Sequence, residues 1–208
     1  MGGLRRWRSG VAKIANDFAM TETIIPAFRN APQEGQIVGR LLAGYSELEV
    51  EMLNCTDLVS GNIDAAVRQL YGTRGEKRRI EATRTATGAA YNKVGLGSEH
   101  AQTMADMDWC RKIRNQYAHC QWYFTTQEGL CFIDLEGLAK QLARIARVTD
   151  VRFPVNVDLL SRQEAFFKHV QKWFWYLQEQ YRARTGALRP SSLVHQLPPA
   201  MARPPLHN

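Results

Sequence analysis

From Gln36 to Val59, apolar side chains recur at steps of three and four residues: Val38, Leu41, Leu42, Tyr45, Leu48, Met52, Leu53 and Cys55. That period belongs to one face of a helix and to no strand, so the chain has to cover an apolar stripe about six turns long. The other side of this helix carries Arg40, Glu47 and Glu51. A stripe of that length is covered by other elements packed in a layer against it. The sequence that follows supplies mainly helices.

A second helix is expected over about Asn62–Leu70, ended by Gly72 and Gly75, and a third over about Lys77–Lys93, ended by Gly95 and Gly97. The third is rich in small residues (Ala82, Ala86, Gly88, Ala89, Ala90), which permit close helix contact. Ser98, with Glu99 in the first turn, can cap a fourth helix that runs through Met104, Met107, Cys110, Ile113 and Tyr117 to His119. The period then shortens. Residues 122–126 and 130–134 flank Gln127-Glu128-Gly129, the pattern of a β-hairpin. Asp134 can cap a fifth helix through Leu138, Leu142, Ile145 and Val148, and Pro154 closes the connection after it. Ser161-x-x-Glu164 reads as a capping box near the start of a last helix, whose Phe166, Val170, Trp173, Leu177 and Tyr181 form an aromatic-rich stripe. The stripe is core in the plainer reading and a partner-binding surface in the other.

The expected fold is therefore all-α, an antiparallel helical bundle with a small β-hairpin. Residues 1–34, interrupted by Pro26 and Pro32, form a partly ordered lead-in; residues 35–185 form the helical domain; residues 186–208, with five prolines from Pro190 onward, are expected as a disordered tail.

Charge and cysteines narrow the function classes. The net charge of +7 resides entirely in the ends, in Arg5, Arg6 and Arg8 and in Arg182, Arg184, Arg189 and Arg203, so residues 10–181 hold equal numbers of basic and acidic side chains. The basic balance is a weak sign of a polyanion partner. Cys55, Cys110, Cys120 and Cys131 lie far apart with no CxxC pair, against a zinc site or a disulfide framework, and fit reduced thiols in a cytoplasmic protein. No apolar run approaches the roughly 18 to 20 residues of a membrane helix.

The end of the fourth helix concentrates polar chemistry: Arg111-Lys112-Ile113-Arg114-Asn115-Gln116-Tyr117-Ala118-His119. Asn115 and His119 are one turn apart on a single face that Arg111 extends, whereas Arg114 is rotated about 140° from His119. Arg114 therefore has to reach round, or the last turn has to loosen. A fixed cation lowers the pKa of a nearby imidazole and a helix C-terminus raises it, which leaves a group expected to titrate near neutrality.

Arg114 to His119 resembles the R-x4–6-H signature of the HEPN superfamily. Two other Arg–His pairs have compatible spacing, Arg162/His169 and Arg189/His195, but only Arg114/His119 has a polar residue after the arginine, Tyr117-Ala118 before the histidine, a helix ending there and three earlier helices. The resemblance covers about residues 36–126, with residues 127–185 as a hairpin and closing helices. It implies a HEPN-like bundle acting as a metal-independent endoribonuclease, in a toxin–antitoxin or antiviral defence setting, as a homodimer and without a cofactor. Catalytic roles fall to Arg114, Asn115 and His119: His119 shuttles protons, Arg114 clamps the phosphate and Asn115 orients either one. One chain offers one such histidine while cleavage by 2′-hydroxyl attack needs an acid and a base, which a two-fold dimer would supply. RNA-binding candidates are Arg111, Lys112, Lys77, Arg78, Arg79 and Arg84; Glu47 or Glu51 of the first helix are candidates to support Arg114. A toxin subgroup carries a tyrosine two residues after the histidine that a partner nucleotidyltransferase modifies; here that position is Gln121. Two alternatives remain open: a non-catalytic HEPN-like module that binds nucleotide, RNA or a protein partner such as an antitoxin, and a helical regulator whose aromatic last helix is the contact surface.

Overall fold

The computed structural model describes residues 25–140 and 152–207. The basic start of the chain (Arg5, Arg6, Arg8) and the later part of the expected fifth helix (Leu142, Ile145, Val148) lie outside the described residues. Among the described residues, seven α-helices and a small sheet follow one another: α1 (Ala27–Asn30), α2 (Pro32–Ser60), α3 (Ile63–Gly72), α4 (Glu76–Lys93), α5 (Gly97–Ala118), β1 (Cys120–Thr125), β2 (Gly129–Asp134), α6 (Leu135–Lys140), β3 (Phe153–Pro154) and α7 (Val157–Arg184). Among the described residues, no helix is long and apolar enough to cross a membrane.

The helix ends follow from the sequence, with two corrections. Pro32 stands in the first turn of α2, where its fixed φ suits a helix and its missing N–H costs nothing. The helix closes at Gly61 in the left-handed region (φ 65°), whose N–H bonds Asp57 O. Asn62 caps α3 by accepting from Ala65 N at 3.0 Å, and Asp134 accepts from Gly137 N at 2.8 Å as expected of a cap for α6. Ser98, however, is already inside α5, its hydroxyl turned to Glu99 at 2.7 Å. The Ser161/Glu164 pair does not open α7 either. Asn156 does, accepting from Asp158 N and Leu159 N, because Leu159 and Leu160 are core residues and draw the helix back by a turn. Glu164 is left free to take Arg40 in a bidentate pair at 2.8 and 3.1 Å.

Helix directions can be read from side-chain pairs. Arg40 meets Glu164 while Glu51 meets Trp175 and Gln178, so α2 and α7 run parallel. On α5, Tyr117 meets Gln163, and Arg184 reaches the carbonyls of Val94 and Gly95 just before its start, so α5 runs against both. Arg114 with Glu76 and Thr87 with His100 set α4 antiparallel to α5. The expected antiparallel bundle is thus corrected to one of mixed direction: α3 returns the chain so that α4 runs parallel to α2, while α7 starts beside the end of α5 and runs antiparallel to it.

The shared core holds Leu41, Tyr45, Met52, Cys55, Ile80, Tyr91, Met104, Met107, Ile113, Phe166, Phe174 and Leu177. Within the stripe of α7, Phe166, Val170, Phe174 and Leu177 are buried, whereas Trp173 is half-buried and donates to His169 Nε2 at 3.0 Å. Glu51 ties the α2–α7 seam by accepting from Trp175 Nε1 at 2.7 Å and Gln178 Nε2 at 2.8 Å. Glu51→Ala is expected to cost about 1–3 kcal/mol by stranding those donors, measured by urea denaturation; an unchanged midpoint would remove Glu51 from the seam.

The sheet is antiparallel in the order β1-β2-β3, with Trp122 opposite Phe132 and the turn made at Gly129 (φ 74°). The hairpin was legible; β3, a two-residue pairing of Phe153 and Pro154 with Phe132 and Cys131, was not. Phe132 packs its ring against Tyr117, Trp122 and Phe153, which fixes the sheet beneath the end of α5.

The Pro-rich segment corrects another expectation. Residues 186–207 are not a free tail: Val194 N and His195 N bond Glu179, Trp109 Nε1 bonds Pro204 O at 2.9 Å, and Gln163 Nε2 bonds Pro205 O at 3.0 Å. Proline-rich composition rules out a helix or a central strand, but it does not rule out an extended chain whose carbonyls are taken up by side chains of a neighbouring groove.

His100 is a buried polar group with a single purpose in the packing. Its ring stacks on Tyr91 at 4.7 Å, its Nε2 lies 2.7 Å from Thr87 Oγ1, and burial pushes its pKa down from 6.5 to about 4. The unfolded chain therefore takes up this proton first as pH falls, so stability present above about pH 6.5 is lost as pH drops towards about 4. Denaturation midpoints across that window should fall, and His100→Gln should flatten the slope; an unchanged slope would acquit His100.

Candidate functional site

The last turns of α5 present three faces. Ile113 and Tyr117 point into the core, which leaves Arg114 half-buried beside α4, Arg111 and Asn115 partly covered, and Lys112 exposed. The Arg114 guanidinium donates to Glu76 Oε1 at 2.8 Å and to Asn115 Oδ1 at 3.1 Å, with its Cζ 5.8 Å from the Tyr45 ring centroid. Its long stem reaches toward α4, not toward His119, and among the described residues no hydrogen bond joins the two.

His119 is the residue on which α5 ends (φ −121°, ψ 28°) before the chain enters β1. Its side chain is exposed, and no hydrogen bond to its ring is formed among the described residues. The backbone has left helical geometry there because Cys120 must begin the pairing with Asp134. One turn earlier, Asn115 lines an open cleft of about 340 Å³ together with Arg111, Lys112, Gln116, Asp134 and Leu206. Arg111 is held by Asp108 at 2.8 Å, and Lys112 lies 3.8 Å from the same carboxylate with its Nζ 5.0 Å over the Trp109 ring.

The remaining sequence candidates divide. Lys77 and Arg78 are exposed on the first turns of α4. Arg84 is engaged locally with Glu81 at 3.0 Å. Arg79 is not a free cation: it pairs with Glu49 at 3.2 Å, both side chains largely covered. Glu47 is exposed on the far side of α2, and Glu51 belongs to the α7 seam, so neither supports Arg114.

Sequence reasoning missed the group that does surround it. Tyr45, Glu49, Glu76 and Arg79 gather against Arg114 as a partly buried polar cluster. Burial raises the Glu49 pKa, Arg79 draws it down, Glu76 raises it again and Arg114 lowers it. Tyr45 is held protonated, first by burial and then by the nearby Glu49 and Glu76. The signal was present: at about 100° per residue Glu49 falls among Tyr45, Leu48 and Met52, inside the apolar stripe where an acid needs a cation partner.

No family model, no curated protein and no solved structure matches this chain. Function therefore has to be argued from the site itself.

Proposed function

We propose that the chain is a HEPN-type, metal-independent endoribonuclease that cleaves RNA by attack of the 2′-hydroxyl on the adjacent phosphate. The observation that carries this reading is the end of α5: an exposed His119 one turn beyond Asn115, which itself holds the Arg114 guanidinium. His119 takes or returns a proton, while Arg111 and Lys112, in the cleft that Asn115 lines, meet flanking phosphates. Arg114 serves the scissile phosphate by releasing part of its hold on Glu76; a guanidinium has five donors and can keep one carboxylate while turning another edge outward. A homodimer that brings two such ends together would supply both acid and base. A toxin or defence role, with an antitoxin or other partner, goes with this family reading, as does a cytoplasmic location.

The Arg114–Glu76 pair favours one rival, a non-catalytic HEPN-like module in which Arg114 ties α5 to α4 and the cleft binds RNA or nucleotide without cutting it. A mixed-sequence single-stranded RNA incubated with the purified chain in EDTA separates them. Fragments ending in a 2′,3′-cyclic phosphate support the enzyme; retention of intact RNA in a gel shift supports the module and overturns cleavage.

A further inference from the structure

Residues 201–207 behave as a peptide bound to a groove. Arg203 pairs with Asp106 at 2.7 Å and lies over the Trp109 ring at 5.7 Å. The carbonyls of Pro204 and Pro205 are taken by Trp109 Nε1 and Gln163 Nε2. The Gln116 amide reads both main-chain groups of His207, donating to its carbonyl at 2.8 Å and accepting from its N–H at 3.2 Å. The His207 ring sits edge-on to Tyr117 at 5.9 Å and to Phe132 at 5.2 Å, while Pro204 is buried. The segment contributes no helix or strand of its own. It is recognised through one cation, its carbonyls and two apolar insertions, the way side-chain amides and an indole capture an extended peptide.

The approach to this groove is held at fewer points, with the His195 ring 5.3 Å from that of Trp175 and Pro198 buried. Between the end of α7 and Met201 the chain forms only the short 3₁₀ turn Pro190–Ser192, and its hold on the body is centred on Glu179, which takes the Val194 and His195 N–H groups and His195 Nδ1. Val194 (77% exposed) and Leu197 (61% exposed) face solvent. Fully extended, the 15 residues between Gly186 and Ala200 reach about 50 Å, enough to cross to a neighbouring molecule.

We propose that the α5–α7 groove is a docking site for an extended Arg-Pro-Pro-Leu-His segment, and that two copies of the chain can seat each other's segment. Every contact named above is made between residues 201–207 and the body, so each survives unchanged when the segment comes from a second copy. The competition is set by concentration against the effective concentration of the chain's own tethered segment. This inference does not depend on the cleavage reading.

The test uses full-length chains. Arg203→Asp sets two carboxylates against each other at an exposed position and should loosen the chain's own segment without harming the fold. A fluorescent peptide of residues 199–208 should then bind this variant saturably, and the wild type at least 10-fold more weakly. Absence of binding to the variant up to millimolar peptide would overturn the docking site. Asp106→Arg provides the reciprocal half. An equimolar mixture of the two variants restores opposite charge only between copies, so light scattering should report association in the mixture beyond the state that each variant shows alone. A mixture no more associated than either variant alone, with peptide still binding, would overturn exchange between copies. Where Asp106→Arg does not fold, concentration-dependent exchange between two differently labelled wild-type chains, followed by energy transfer, decides the same point.

Discussion

Alanine in place of His119 is expected to reduce RNA cleavage by roughly 100- to 10,000-fold, the range lost with a general acid or base. Thermal stability should not move, because the side chain is exposed and forms no hydrogen bond among the described residues. Arg114→Ala should reduce cleavage as severely but also destabilise the fold by about 1–3 kcal/mol, since it leaves Glu76 without its 2.8 Å partner beside the buried Glu49. Arg114→Lys separates the two effects. An ammonium keeps a cation near Glu76 but loses the fork that can hold a carboxylate and a phosphate at once. The expected result is near-normal stability with cleavage still depressed at least tenfold. Full activity in His119→Ala would remove His119 from the chemistry, and full activity in Arg114→Lys would show that a cation suffices there without the fork.

That two residues of one short motif can be tested apart reflects how unevenly the site was written in the sequence. Periodicity gave α2, α5 and α7 to within a few residues, because each must bury a stripe that is visible in one dimension, and glycines marked the end of α4. It also put Asn115 and Arg111 on one face of α5, where both line the cleft. What it could not give was the partner of Arg114. Glu76 is distant in sequence and becomes a neighbour only because α4 and α5 run antiparallel, while the exposed Glu47 and the seam residue Glu51 looked equally suitable from spacing alone. The 201–207 segment was hidden for a different reason. Its composition describes what it cannot form by itself, and its order comes from Asp106, Trp109, Gln116 and Gln163 on two other elements.

Arg79 shows what such a hidden partnership does to an apparent binding residue. In sequence it is one of three consecutive cations, Lys77-Arg78-Arg79; in the fold it is the counter-charge of Glu49, an acid set into the apolar stripe of α2. Arg79→Ala should leave the intrinsic cleavage rate of the folded protein unchanged while destabilising it by about 2–4 kcal/mol near pH 8, toward the range for breaking a covered ion pair from one side. The pH dependence identifies the cause. Burial already raises the Glu49 pKa above its ordinary 4.5, and Arg79 is the largest influence holding it down. Without Arg79 the folded-state value rises further, so the folded protein keeps its proton over a wider range than the unfolded chain. Stability is then fully present below the unfolded carboxylate value and is lost as pH rises through the folded one. The gap between wild type and Arg79→Ala in urea should therefore widen from about pH 5 to about pH 8, a comparison in which the His100 contribution, common to both, cancels. Adding Glu49→Gln to Arg79→Ala should close most of that widening, since an amide has no charge to strand. A gap of constant size across the same range would mean that Arg79 acts through packing of its stem and not through Glu49.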